Sequence, residues 1–424
     1  MSWNEEQAAP VVRRALTRTP VPPSRLDVGT VLRAGRRAER RRRQLTVGLA
    51  AVAVLAVGLG STALLGRDGH DRGLGRVTGG PPEILPAPTV VPVTVRLGTS
   101  PAPCTYEQFE QPTEVHMPSV SVAERTGRFM AGTGSALNWR TEKSRTYLVI
   151  WDRGKPSVTD LSRSYVARVN AVNSAGVAVG TRWDGVNRPE AAWVYRDGQV
   201  RNLAMPSGHR QVTPVAINER GDILGMAGRY EADSRALVVW PAGSDESPRV
   251  VEEQVRGEIL DWAEDGTLTE RVILGSGADV SRAVRVSRPD GSAVVMTAPD
   301  GWGMGIARPV RGAWIAGTVP GTGGERTVPA LWNTSTNQVF VYHGLDAHHQ
   351  NTVTVDTSGR LLARKPGDGW YLVEQDGTAR PLPLPPGTIR DYGMGPLVID
   401  DEGVIQGKVD GPSGEGLPTA WRCR

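Results

Sequence analysis

A glycine-closed turn recurs seven times along this 424-residue chain, and no other feature restricts its fold as tightly. The copies are Glu124-Arg-Thr-Gly127, Asn173-Ser-Ala-Gly176, Asn218-Glu-Arg-Gly221, Ala263-Glu-Asp-Gly266, Pro309-Val-Arg-Gly312, Asp356-Thr-Ser-Gly359 and Asp400-Asp-Glu-Gly403. Their glycines lie 49, 45, 45, 46, 47 and 44 residues apart. A period in the forties with strand-like sequence between the turns is the pattern of a β-propeller, one blade per repeat. The expectation is an all-β fold, a seven-bladed propeller of four-stranded blades that absorbs about 330 residues.

Each repeat reads alike. A β-rich run precedes the turn, as at 165–173 and 212–218, and a short second strand follows it, as at 129–132, 177–180 and 404–407. A variable loop leads to a third strand, as at 147–151, 191–195 and 418–422, and a weaker fourth strand ends the blade, as at 156–161 and 338–344. Trp151, Trp193, Trp240, Trp332 and Trp421 recur on third strands and read as blade packing. The seventh repeat has three strands, and Thr89–Gly98 is the expected fourth, donated from upstream to close the ring. Pro92 within it has no N–H for a ladder, which suits an outer edge. Cys104 and Cys423 flank the array and are expected to form a disulfide in an oxidising exterior, stapling that same blade.

Residues 171–205 and 216–240 follow apolar-Asn-x-x-Gly-x-apolar-x-Gly, then a loop, an apolar-Trp strand and a Gly turn. In this they resemble the HAF-type extracellular repeats of bacterial propeller proteins, a resemblance that implies a fold rather than an activity. Repeats four and five depart from it, with Ala263 and Pro309 in place of Asn and Thr269-Glu270 in place of the glycine step. The whole layout is similar to single-span actinobacterial proteins. The Arg-rich stretch 31–43 is similar to heads of membrane proteins associated with extracytoplasmic-function sigma factors, which implies a cytoplasmic partner of that kind.

Charge divides the chain unevenly. Residues 1–44 hold eleven Arg against four acids, whereas the remainder holds 38 basic and 41 acidic residues. A nearly neutral repeat domain offers no electrostatic footprint for nucleic acid. Leu45 to Gly66 is 22 residues without a charge, long enough to cross the roughly 30 Å hydrocarbon layer. Seven arginines from Arg33 to Arg43 flank it on one side, so the positive-inside rule places the N-terminus in the cytoplasm and the repeats outside. The expected organisation is a cytoplasmic head at 1–44, an uncleaved transmembrane helix at 45–66, a Gly/Pro-rich stalk at 67–88 and an extracytoplasmic propeller at 89–424, held at the plasma membrane. Arg33–Arg43 are expected to contact anionic lipid.

Catalytic motifs do not stand out. The sequence has no phosphate-binding Gly-Lys loop, no HExxH, no GxSxG and no CxxC, and neither cofactor nor metal is expected. Function is therefore sought in the long, individual loops between second and third strands, which open on one face of the disc. These loops, among them 133–146, 181–190, 227–235, 318–328, 365–369 and 408–417, carry Trp139, Arg140, Arg182, Trp183, Arg229, Tyr230, Arg326, Lys365 and Lys408, the candidate binding residues. The leading expectation is a non-catalytic module that binds an extracytoplasmic protein or glycan. The alternatives are a sensory protein whose head contacts a sigma-factor-like partner, and a cell-envelope hydrolase or lyase.

Overall fold

The computed structural model describes residues 82–97, 104–138, 143–161, 166–183, 189–229, 232–255, 257–263, 265–274, 281–299, 310–320, 327–345, 354–365, 369–388, 395–400, 402–411 and 416–423. The expected head at 1–44, span at 45–66 and most of the stalk lie outside these residues. Among the described residues no helix is long and apolar enough to cross a membrane.

Among the described residues four strands precede the first repeat: β1 (Glu83–Ile84), β2 (Thr89–Thr94), β3 (Arg96–Leu97) and β4 (Thr105–Gln108). Blade 1 follows as β5 (His116–Ala123), β6 (Phe129–Asn138), β7 (Lys143–Asp152) and β8 (Lys155–Asp160), paired in that order. The same antiparallel meander gives blades 2 to 6, whose first strands are Val166–Val172, Gln211–Ile217, Glu258–Trp262, Val310–Arg311 and Thr354–Val355. Blade 7 supplies Pro396–Ile399, Val404–Asp410 and Gly416–Arg422 from its own repeat. The seven-bladed, four-stranded plan read from the turns is the architecture of the protein.

Ring closure differs from expectation in one respect. The fourth strand of blade 7 is β4, antiparallel to Gly416–Arg422 with Tyr106 opposite Trp421 and Thr105 opposite Arg422. Thr89–Gly98 is not that strand. Its β2 portion pairs in parallel with Gln338–His343 and forms a fifth, outermost strand of blade 5. Pro92 does occupy an exposed edge, as a residue without a donor must. The misplacement has a physical cause. All four residues of β4 are exposed, so the segment lacks the alternation that marks a strand. The disulfide Cys104–Cys423 joins positions immediately beside this ladder, 319 residues apart.

The segment ahead of Cys104 thus passes along the outer edges of successive blades. β1 adds in parallel to blade 4, β2 to blade 5 and β3 to blade 6, before β4 completes blade 7. Residues 82–88, read as the end of a stalk, include β1, and the Leu85 N–H donates to the Val295 carbonyl at 3.0 Å.

Burial is organised between blades. Seven separate apolar clusters occupy the seven junctions, for example Phe129, Leu148 and Ile150 of blade 1 against Ala167, Val169 and Trp193 of blade 2. The last junction packs Phe109, Val120, Met130 and Trp151 against Ala420 of blade 7. Each sheet buries both faces only because it has two neighbours, so no blade is complete alone. The recurrent tryptophans also bond backward. The indole N–H groups of Trp151, Trp240 and Trp421 donate to the carbonyls of Glu110, Ala204 and Pro383, just beyond the fourth strand of the preceding blade.

The seven turns prove to be scaffold. In five of them the first residue, Glu124, Asn173, Asn218, Asp356 or Asp400, is a buried acceptor that ties down the turn's own backbone. Asn173 Oδ1 accepts from the N–H groups of Ala175 and Val177 at 3.2 and 3.0 Å, and Asp356 Oδ1 from Ser358 and Arg360 at 3.0 and 2.8 Å. Glu124 does the same through Thr126, Arg128 and Phe129. Repeat four begins with Ala263, and there Asp265 Oδ1 accepts from Thr267 instead. The closing glycines are left-handed, as Gly176 is at φ 76°, which a side chain would strain. Gly180 of the second strand matters differently: a Cβ there would run into the Arg168 carbonyl and the Trp193 ring. Gly180→Ala is expected to cost on the order of 3 kcal/mol, read as a lower urea midpoint at unchanged slope.

Candidate functional site

In this topology the turns after first and third strands share one face, the turn face. Loops between second and third strands, and the connections between blades, share the other, the loop face. Of the sequence-derived loop residues, Trp139, Arg140, Tyr230 and Arg326 lie outside the described residues. Arg229 ends the second strand of blade 3. Arg182 and Trp183 end the second strand of blade 2, both half-buried, and Arg182 donates to Asn202 Oδ1 at 3.0 Å within its own blade. Lys365 ends the second strand of blade 6. Of these side chains, Arg182 and Trp183 stand on blade 2 and Lys365 on blade 6, so these three do not share one site.

Lys408 is the exception. It sits on the second strand of blade 7, two residues from that strand's loop-face end, opposite Pro418. Its Nζ crosses the last junction of the ring and donates to Ser119 Oγ of β5 at 2.9 Å. Burial holds the Lys408 amine below the ordinary lysine value, and the charge of Asp410 opposes that shift. Both partners are half-buried, with Pro118 and Val120 buried on either side of Ser119. Gly416, at the start of the third strand, leaves clearance beside the pair: a Cβ there would stand 3.2 Å from Lys408 Cδ and 3.4 Å from Ser119 Oγ.

The backbone leading to Ser119 is unusual. Met117 takes φ 50°, a left-handed conformation rare for a side chain of its size, and is 63% exposed. The β5–β6 register shifts between His116 and Ser119. An extra residue at this point re-aims the strand, as bulges beside reactive groups do. A hydroxyl and a partly desolvated amine in contact form the minimal pair for nucleophilic catalysis, in which the neutral amine removes the hydroxyl proton.

Ser119 was not legible as a site residue. It lies in no motif, and 289 residues separate it from Lys408. Of the pair, Lys408 alone lies in a loop that the sequence marks, and without its partner it reads as a binding cation.

A depression of about 590 Å³ opens on the turn face between blades 6 and 7 and is lined by Ser358, Arg360, Glu374, Gln375, Asp376 and Glu402. Its groups serve the scaffold. Arg360 Nε donates to Asp356 at 2.6 Å, Gln375 Nε2 to the Ser358 carbonyl at 2.6 Å and Arg96 Nη2 to Asp376 at 2.7 Å. Among the described residues no group of three or more His, Cys, Asp or Glu side chains is placed to hold a metal ion.

No family model and no curated protein matches the chain. Solved structures do match in fold. Oligogalacturonate lyase in complex with manganese aligns with a TM-score of 0.50 at 10% identity over 76% of this chain and 97% of that one. The β-propeller domain of the Trilobed protease from Pyrococcus furiosus aligns with a TM-score of 0.48 at 13% identity over 74% of this chain and 96% of the domain. Pyrococcus horikoshii acylaminoacyl peptidase aligns with a TM-score of 0.48 at 12% identity over 74% of this chain, which spans about half (53%) of the peptidase. At these identities the likeness is one of fold. The neighbours are a lyase, a protease domain and a peptidase, and the expectation of a non-catalytic binding module is withdrawn on that finding. Of the alternatives, the hydrolase or lyase is the one carried forward.

Proposed function

We propose that this protein is a cell-envelope hydrolase on a propeller scaffold, with Ser119 as nucleophile and Lys408 as its base. The observation that carries this reading is the 2.9 Å contact between Lys408 Nζ and Ser119 Oγ across the closing junction. The substrate class is an acyl compound, an ester or amide carbonyl. Neutral Lys408 accepts the Ser119 proton while Oγ bonds to the carbonyl carbon and the carbonyl electron pair moves onto oxygen. Re-forming the carbonyl breaks the bond to the leaving group, which takes the proton from Lys408. Water, deprotonated in turn by Lys408, attacks the acyl-Ser119 carbonyl, releases the acid and restores the hydroxyl.

In the same reading the uncharged stretch 45–66 spans the plasma membrane, Arg33–Arg43 face anionic headgroups on the cytoplasmic side, and HAF-type repeats act outside on an envelope protein or glycan bearing acyl groups. The length of that stretch and the excess of arginine on its N-terminal flank, seven from Arg33 to Arg43 against Arg67, Arg72 and Arg76 beyond it, support this arrangement.

A fluorophosphonate probe, which captures activated serine hydroxyls, tests the assignment on the full-length protein. The expected result is one adduct at Ser119, identified by peptide mass, and none in Ser119→Ala. Absence of that adduct between pH 7 and 9 in folded protein, or its appearance at another serine, sinks the reading.

A further inference from the structure

Blade 1 of a seven-membered ring faces the junction of blades 4 and 5, and an ion-pair cluster joins those three blades. Arg125, in the first glycine turn, reaches Asp261 Oδ2 with Nη2 at 3.4 Å and donates to the Trp262 carbonyl at 3.4 Å. Asp261 lies near the turn-face end of the first strand of blade 4. Its Oδ2 also receives Arg311 Nη1 at 3.2 Å from the first strand of blade 5. First strands border the central channel, so a contact from blade 1 to blades 4 and 5 has to pass across it. The side chains of Asp261 and Arg311 are 13% and 15% exposed, against 32% for Arg125. Two guanidinium groups thus converge on one carboxylate where the channel would open on the turn face.

We infer that Arg125, Asp261 and Arg311 form a stopper that closes the channel at the turn face, leaving a well entered from the loop face alone. The chemistry suits a closure that holds without a packed core. Two charge-assisted contacts on one carboxylate oxygen, partly removed from water, are stronger than a surface pair. Removing the carboxylate leaves two cations apposed, so Asp261 is the group on which closure depends. The stopper does not rest on the hydrolase reading, and its test needs no catalysis. If both hold, substrate enters and product leaves by one mouth, which favours an acyl group at a chain end over a polymer threaded through the ring.

The experiment uses Ser121→Cys, an exposed position on β5 between Ser119 and the stopper, in the full-length chain, whose native cysteines are paired. Maleimides of increasing polymer size report access to the new thiol. With the stopper intact, the loop-face mouth is the single route and the largest reagents are expected to label slowly; Arg125→Ala, by opening the turn-face mouth beside the thiol, should accelerate them about tenfold, and Asp261→Ala more. Arg128→Ala serves as the control, because Arg128 pairs with Asp152 inside blade 1, away from the channel. Unchanged rates in Arg125→Ala and Asp261→Ala overturn the inference. Equal acceleration by Arg128→Ala overturns it too, since that reports general loosening of blade 1.

Discussion

Lys408→Met is expected to lower kcat/KM for an activated ester by about 10³-fold at neutral pH, the range associated with loss of a positioned general base. Lys408→Arg should be as inactive, because guanidinium keeps the charge but gives up no proton in this range. That pairing separates catalysis from simple charge binding, for which Arg would substitute. The pH profile supplies the second readout. Lys408 works as the neutral amine, so the rate rises as pH climbs through its value and levels above it, with a midpoint below the ordinary lysine range of about 10.4. Asp410 opposes the shift by favouring the charged amine, and Asp410→Asn should move the midpoint lower still. A profile flat from pH 6 to 10, with activity retained in Lys408→Met, refutes the assignment. The same shift has a consequence for stability. Between the folded and unfolded values the unfolded chain holds the proton that the folded chain has lost, so stability rises with pH across that window. Lys408→Met should flatten that slope.

The double substitution Cys104→Ser with Cys423→Ser is expected to cost up to about 5 kcal/mol, the chain-entropy figure for closing so long a loop. The physical reason lies in where the bridge sits. It fastens β4 to the third strand of blade 7, and β4 is the strand that turns an open array into a ring. Without the bridge, four exposed residues and the cluster around Phe109, Trp151 and Ala420 hold the closure. Those residues belong to the junction that Lys408 crosses to reach Ser119. Fluorophosphonate labelling at Ser119 should therefore fall together with the denaturation midpoint. An unchanged midpoint would mean that the ladder and the cluster suffice without the bridge.

How legible these features were depended on whether each one is local in the chain. The turns were legible because each is four residues long and ends on a glycine, at a near-constant pitch that counts the blades. The third-strand tryptophans were legible for the same reason. The bridge between Cys104 and Cys423 could be inferred because only two cysteines exist and they flank the array. The N-terminal edge strands were half legible. The sequence of β2 shows an edge strand through Pro92, yet nothing in it says which blade it joins, since parallel addition to an outer strand uses backbone groups that every residue has. β4, exposed throughout, carries no alternation that would mark it as a strand.

The site and the stopper belong to a different category. Ser119 meets Lys408 because blade 1 and blade 7 become neighbours only when the ring closes. Arg125 meets Asp261 because blades three apart in the chain stand opposite one another in a ring of seven. Neither pair has a spacing that repeats or a local pattern that marks it. From its sequence alone this protein was determined to have seven blades and glycine-closed turns, because those follow from short-range backbone chemistry repeated at one pitch, and a covalent closure, because its two cysteines flank the array. Only the tertiary structure decided which strand closes the ring, which serine the lysine touches and where the channel is blocked, because those depend on the curvature that brings distant repeats together.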